Sequence, residues 1–338
     1  MLRAFKVIPL VALLAAVALA GIAAGCGGDD AEPSSSPSAS ADATSKAYKI
    51  GISQIVTHPA LDATVQGFQD ALEAAGFTNV TYDLQNAEGD MATTAQIAQK
   101  FAGDTLDLVL GVATPTAQAL VKQITDRPVL FTAVTDPVGA GLVVDPAAPS
   151  ANVTGVSDMQ PVKPILELAK TFRPDATKVG MVYNAGESNS VFLVQQAEKD
   201  AATMGLTIVK APASTSAEVQ AAAKSLIGRV DAIAVIGDNT AVTALESIIK
   251  VCEENKIPLV AGDPDSVKRG AVACYGFDYY DLGKQTGAMA AQIFSGTPVA
   301  DIPVQFAKNL QLSINEKAAK AQGVTIPADL VSQAANKY

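Results

Sequence analysis

Six short stretches carry side chains able to grip a small charged molecule: Ser53-Gln54-Ile55-Val56-Thr57-His58, Thr114-Pro115-Thr116, Thr135-Asp136-Pro137, Asn184 to Ser190, Asp238-Asn239-Thr240 and Asp263-Pro264-Asp265. Each follows an apolar run of strand character. Thr114 before Pro115 has the form of an N-cap with proline at the first helical position, and His58-Pro59 and Asp136-Pro137 repeat it. Ser188-Asn189-Ser190 leads into the helix-periodic run Val191, Phe192, Val194, Gln195. Free N–H groups with hydroxyls at a helix start suit a carboxylate. Asp136, Asp238 and Asp263 are acceptors for an ammonium once desolvated. Tyr183, Phe131, Phe192 and Tyr275 lie near loop ends where they can stack on an apolar ligand, although core packing accounts for Phe131 and Phe192. For any single loop, capping alone explains the residues; four helix starts converging on one cleft argue for a site.

Other chemistry is poorly supported. His58 is the one histidine, and no nucleophile motif, metal pair or GxGxxG loop accompanies it, so it reads as a cap or cleft-lining residue rather than a general base. A metal centre is not expected without a CxxC pair or a second histidine. No cofactor is implied and nothing demands catalysis.

The elements that would position these loops come in duplicate. Lys49 to Gly76, KIGISQIVTHPALDATVQGFQDALEAAG, follows the same plan as Lys178 to Gly205, KVGMVYNAGESNSVFLVQQAEKDAATMG, with an offset of 129 residues at both ends. Each is an apolar strand, a polar loop and an amphipathic helix stopped by glycine. Second strands are expected at Val80 to Leu84 and Thr207 to Val209, followed by helices over Met91 to Phe101 and Ala217 to Ile227. Asp107-LVLGVAT-PTAQAL then aligns with Asp231-AIAVIGD-NTAVTAL, and Arg127-PVLFTAVTDP with Ile257-PLVAGDP. The pattern predicts an α/β protein of two similar doubly wound lobes, each β-α-β-α-β-α-β with a mainly parallel sheet. A further helix, Asp281 to Gly296, and late strands at Ile302-PVQF and Gln311-LSIN, with a short helix over Glu316 to Gln322, complete the chain. We expect crossings near Val156, Cys274 to Phe277 and Leu310. The first lobe then comprises residues 48–156 with about 278–310, and the second 157–277 with about 311–338. Open parallel sheets bind ligands outside the carboxyl ends of their strands, where all six loops fall.

Composition sets limits. The 338 residues suffice for two lobes with separate cores, and 49% hydrophobic content suits strands covered on both faces. Formal net charge is −10; without Arg3 and Lys6, 22 basic against 34 acidic residues leave −12, which disfavours nucleic acid or anionic lipid as partners. Residues 1–25 read as a targeting segment: a basic start, an apolar run from Val7 to Ala20, then Ala23-Ala24-Gly25 before Cys26, with a retained membrane helix as the alternative. Residues 26–47, centred on GGDDAEPSSSPSASADATS, read as a flexible tether with a reach on the order of 25 Å. Cys252 and Cys274 read as buried free thiols, with pairing as the alternative.

The runs GISQIVTHPALDA, LGVATPTAQA, VLFTAVTDPVGAGLV, NVTGVSD, YNAGESNS, IGDNTAV and DSVKRGAVACYGFDYYDLGKQTG, with the lipobox at Cys26, resemble the substrate-binding lipoproteins of ABC uptake systems. The likeness is greatest to the tryptophan and aromatic amino-acid type and spans Tyr48 to Gly323. It implies a periplasmic-binding-protein-like fold that captures an amino acid by hinge closure and docks on an ABC permease. It also implies a monomer held outside the cytoplasm by a lipid on Cys26. Thr114, Thr116, Ser188, Asn189 and Ser190 match positions that hold the ligand carboxylate, and Asp238, with Asp136 or Asp263, the position that holds the ammonium. The full ligand-facing set adds Gln54, His58, Thr135, Tyr183, Glu187 and Asn239. Alaninyl departures stand at Ala23 and Ala185. A sugar-binding protein is the rival reading, weakened by the absence of tryptophan; a ligand-sensing partner of a membrane receptor is another.

Overall fold

The computed structural model describes residues 41–338. The targeting segment, Cys26 and most of the tether lie outside the described residues. The last tether residues form a short helix, α1 (Ala41–Ser45), whose Ala43 packs against the core, so the expected coil ends earlier than residue 47.

Along the chain come β1 (Tyr48–Gln54), α2 (Pro59–Ala74), β2 (Val80–Asn86), α3 (Met91–Gly103), β3 (Leu108–Val112), α4 (Thr114–Gln123), β4 (Val129–Val134) and β5 (Val153–Ser157). The second series is α5 (Lys163–Phe172), β6 (Lys178–Tyr183), α6 (Ser188–Thr203), β7 (Thr207–Pro212), α7 (Val219–Ser225), β8 (Ala232–Val235), α8 (Asn239–Thr243), α9 (Leu245–Asn255), β9 (Leu259–Ala261), α10 (Pro264–Arg269) and β10 (Ala273–Gly276). The chain ends with α11 (Tyr279–Phe294), β11 (Gln305–Phe306), β12 (Gln311–Ile314), α12 (Glu316–Ala321), α13 (Ala328–Gln333) and β13 (Asn336–Lys337). Only Gln305 and Phe306 of the expected strand at Ile302 pair, and α13 and β13 were not anticipated.

The strands form two sheets, ordered β2-β1-β3-β4-β5-β11 and β7-β6-β8-β9-β10-β12-β13. The first five strands of each follow one winding, one strand more per half than the repeat predicted. Every pair in the first sheet is parallel, and in the second only β10 with β12 is antiparallel. The duplication extends to hydrogen bonds. Lys49 N–H donates to Asp107 Oδ2 at 2.9 Å, as Lys178 N–H donates to Asp231 Oδ2 at 2.9 Å. Each aspartate returns its own N–H to the lysine carbonyl, pinning the central strand pair at its amino end.

Strands β3, β4 and β5 are fully buried, and valine and leucine dominate them, as expected for sheets covered on both faces. One core surrounds the first sheet and two lie on opposite sides of the second. The chain passes between sheets three times: after β5, after β10 and after β11. Helix α11 follows the second sheet yet packs on α2, giving Leu282 and Met289 to the first core. Glycines make this docking close. A Cβ at Gly67 would collide with the Tyr280 carbonyl, and one at Gly283 with the Thr64 carbonyl. Cys252 and Cys274 are buried free thiols.

Candidate functional site

The carboxyl ends of strands from both sheets meet at a small cavity of ≈ 20 Å³, room for about one water. His58, Ala60 and Leu61 reach it from the turn after β1 and the start of α2, and Ala133 and Thr135 from the end of β4. Asp158 and Tyr279 arrive from two of the segments that cross between sheets. Asn189, Asp238, Asn239 and Asp263 arrive from the helix starts after β6, β8 and β9.

Abrupt backbone turns place these groups. At the end of β8, Gly237 adopts φ 56°, and its counterpart after β3, Ala113, adopts φ 79°. A left-handed residue turns each strand directly into a helix. The cost of holding alanine there is about 1–3 kcal/mol, supplied by the surrounding packing. Ala133, with φ 54°, sits where the register of β4 against β5 shifts, and this bulge turns residues 133–135 toward the cavity.

Three carboxylates line the cavity and no lysine or arginine does. Asp158 Oδ1 accepts from Thr135 Oγ1 at 3.0 Å and Oδ2 from Tyr279 Oη at 2.9 Å. Asp238 caps α8: Oδ1 accepts from Ala241 N–H and Oδ2 from Asn184 N–H, each at 2.6 Å. Asp263 caps α10 through Ser266 N–H at 2.7 Å and Ser266 Oγ at 2.6 Å. Burial raises the pKa of all three, against the hydrogen bonds that favour their charged forms. Burial also holds His58 down at about 4, with the Arg269 charge adding to the effect, so the imidazole is neutral. Its Nδ1 accepts from Leu61 N–H at 3.4 Å, which leaves the proton on Nε2. The cavity is thus rich in acceptors and poor in positive charge. Chemically, it can hold a cation with hydrogen-bond donors.

Of the residues singled out in the sequence, His58, Thr135, Asn189, Asp238, Asn239 and Asp263 line this cavity. Others stand apart. Gln54 is buried and spends its amide on Val56 O at 2.9 Å and Asp62 Oδ1 at 2.7 Å. Thr114 is not the cap of α4; Ala113 is, and the Thr114 hydroxyl is buried without a protein partner. Thr116 Oγ1 bonds back to Val112 O at 2.8 Å and Ala113 O at 2.9 Å, as an intrahelical threonine does. Asp136 starts no helix: its Oδ1 closes a turn on Gly139 N–H at 2.9 Å, and it lines a neighbouring groove with Ser188 and Phe192. Ser188 Oγ reaches across to Gln118 Oε1 at 3.5 Å. Ser190 is buried near Asp238, its hydroxyl making no bond of ordinary length. Tyr183 and Tyr275 pack partly buried on the second core, and Phe131 is buried in the first. Glu187 lies behind the cavity, where its carboxylate accepts from Asn189, Asn239 and Thr240. Burial and the neighbouring Asp238 push it up to about 7.

Asp158 and Tyr279 were missed. Asp158 ends the run NVTGVSD and Tyr279 lies in DYYDLG, segments whose sequence marks crossings between the lobes rather than cleft walls. The signal available was that β5 and β10 end at the same face as the strands whose loops were counted.

The chain resembles several known proteins. A tyrosine-binding protein of Clostridioides difficile is 40% identical over 95% of this chain and 93% of its own. The ABC domain from Streptococcus pneumonia in complex with L-Trp is 34% identical, covers 87% of this chain and 100% of its own, and superposes with a TM-score of 0.83. A ligand-free, open structure of a substrate-binding protein with adhesive properties from Clostridium difficile is 42% identical over 86% of this chain and 98% of its own, with a TM-score of 0.64. The family described as ABC transporter substrate binding protein matches residues 49–338, so the duplicated sheets and the cavity between them belong to a member of that family.

Proposed function

We propose that this chain captures an L-amino acid with an aromatic side chain between its two lobes and delivers it to an ABC permease. The observation that carries the reading is the set of three buried carboxylates, Asp158, Asp238 and Asp263, around one cavity without a lysine or arginine. An ammonium group brings positive charge and hydrogen-bond donors to such a set, and a neutral sugar brings no charge. Asp238 is the principal ammonium partner in this reading, with Asp158 and Asp263 completing the acceptor shell. The ligand carboxylate meets the start of α2, where Ala60 and Leu61 line the cavity. The tyrosine-binding relative and the L-Trp complex support the aromatic class.

A cavity of ≈ 20 Å³ is smaller than any amino acid, so entry requires the lobes to part about the three crossing segments. The higher TM-score with the L-Trp complex than with the open structure, despite lower identity, supports a shut arrangement here. In the same reading, Cys26 carries a lipid that tethers a monomeric receptor to the outer face of the cell membrane. Fractionation of a Cys26→Ala variant tests that anchor, which is wrong if the variant stays as firmly membrane-bound as the parent.

The test of the ligand is a thermal-shift screen of the twenty L-amino acids and common sugars. At one hundred times Kd a true ligand adds about 2.7 kcal/mol of stability. Tyrosine, tryptophan or phenylalanine is expected to raise Tm; a response to a sugar with none to any amino acid overturns the reading.

A further inference from the structure

Glu187 does not line the cavity, yet it touches two residues that do. Its Oε2 accepts from Asn189 Nδ2 at 3.2 Å and from Asn239 Nδ2, and its Oε1 accepts from Thr240 Oγ1 at 3.0 Å. Asn189 Nδ2 also donates to the Gly237 carbonyl at 2.9 Å. A backbone carbonyl is an acceptor only, so the nitrogen of Asn189 must face Gly237 O and its oxygen must face away. That oxygen is buried and has no protein partner, in a residue that is 4% exposed and forms part of the cavity wall. Asn239 is constrained likewise: its nitrogen faces Glu187 and its side chain contacts His58. The two asparagines also separate the cavity from its surroundings. Asn189 is shared with the groove beside Asp136, and Asn239 with an interlobe chamber lined by Ile55, Val56 and Glu187.

We propose that Glu187 is a positioning residue that fixes the amide orientations of Asn189 and Asn239 and so makes Asn189 Oδ1 an acceptor for the ammonium of the ligand. This inference rests on the amino-acid reading above. Without the carboxylate, Asn189 keeps only the Gly237 carbonyl to hold its nitrogen, and Asn239 loses its acceptor. A glutamine at 187 brings an NH₂ group that donates to an asparagine oxygen, which takes Asn189 Oδ1 away from the ligand. The result is a change in selectivity for the amine, not a general loss of the site.

The experiment is calorimetry on the parent chain, Glu187→Gln and Asn189→Ala, using L-tyrosine against 3-(4-hydroxyphenyl)propionate and L-tryptophan against 3-indolepropionate. The parent is expected to prefer the amine in each pair. Both variants are expected to lose at least about tenfold of that preference while the desamino acids bind within about threefold of the parent. Asn189→Ala leaves Glu187 itself in place, so it tests the acceptor role even if Glu187→Gln does not fold. Equal losses for the amine and desamino ligands, or no loss in either variant, overturn the inference. A parent that binds no amino acid overturns the functional reading and the inference with it; a parent that binds tyrosine or tryptophan with unaltered variants overturns the inference alone.

Discussion

Tyr279 donates its phenol hydrogen to Asp158 Oδ2 across 2.9 Å, joining two of the three segments that pass between the sheets. Both side chains are buried, and Thr135 holds the other carboxylate oxygen. The cavity wall and the crossing region therefore share one hydrogen-bond network. Tyr279→Phe removes the donor and leaves a buried carboxylate short of a partner. We expect a stability loss of about 1–3 kcal/mol in urea denaturation. A variant as stable as the parent would mean that Asp158 is neutral or finds another donor.

Asp238→Asn is expected to weaken amino-acid binding by about 2 to 5 kcal/mol, the usual cost of removing one partner of a buried charge pair. It also weakens the fold. Both oxygens of Asp238 accept backbone N–H groups, from Asn184 and Ala241, and an amide offers only one oxygen. Calorimetry and denaturation together separate the two effects. Tyrosine or tryptophan affinity within about threefold of the parent would reduce Asp238 to a cap.

His58 supplies a pH signature. Its folded pKa, about 4, lies below its ordinary 6.5, so the unfolded chain takes up the proton first as pH falls. Stability is fully present above pH 6.5 and is lost as pH falls toward 4, by roughly 3 kcal/mol for this group. The raised carboxylates Asp158, Asp238 and Asp263 act in the opposite direction, gaining stability as they protonate. The comparison of parent with His58→Asn, which keeps a capping side chain, isolates the histidine. Parallel stability curves from pH 7 to 4 would contradict a buried neutral imidazole.

Gly283→Ala places a methyl group against the Thr64 carbonyl, with no flexible side chain to yield. The helices α2 and α11 must separate, and we expect a loss of about 1–3 kcal/mol in urea denaturation. A neutral result would show that the helix pair slides at little cost.

The duplicated winding was legible because each half repeats one alternation of apolar strand and amphipathic helix, down to the lysine that opens it. The family resemblance was legible from the loop runs. The cavity was legible where a loop follows a strand that both halves possess, as for His58, Asn189, Asp238 and Asp263. It was illegible at Asp158 and Tyr279 because both follow the fifth strand of a half, β5 and β10, where the repeat as read from sequence stopped at four strands and the chain leaves one sheet for the other. Thr114 misled for a different reason. Hydroxyl before proline is a sound capping signal, but the turn is made by Ala113, whose residue type gives no hint of φ 79°; only glycine at the equivalent position, Gly237, does. The role of Glu187 depends on which way two amides face, and spacing along the chain carries no such information.

The return of α11 and β11 to the first sheet bears on how the protein is made. Leu282 and Met289, and beyond them Ile302 and Val304, complete the first core. During synthesis, residues 48–157 leave the ribosome long before these partners exist, and the entire second series must follow before the first lobe can close. A nascent chain halted after β10 therefore presents an unfinished apolar face along α2, where Gly67, which admits α11, leaves the helix backbone uncovered. The last sixth of the sequence, from α11 onward, decides when the first core can shut.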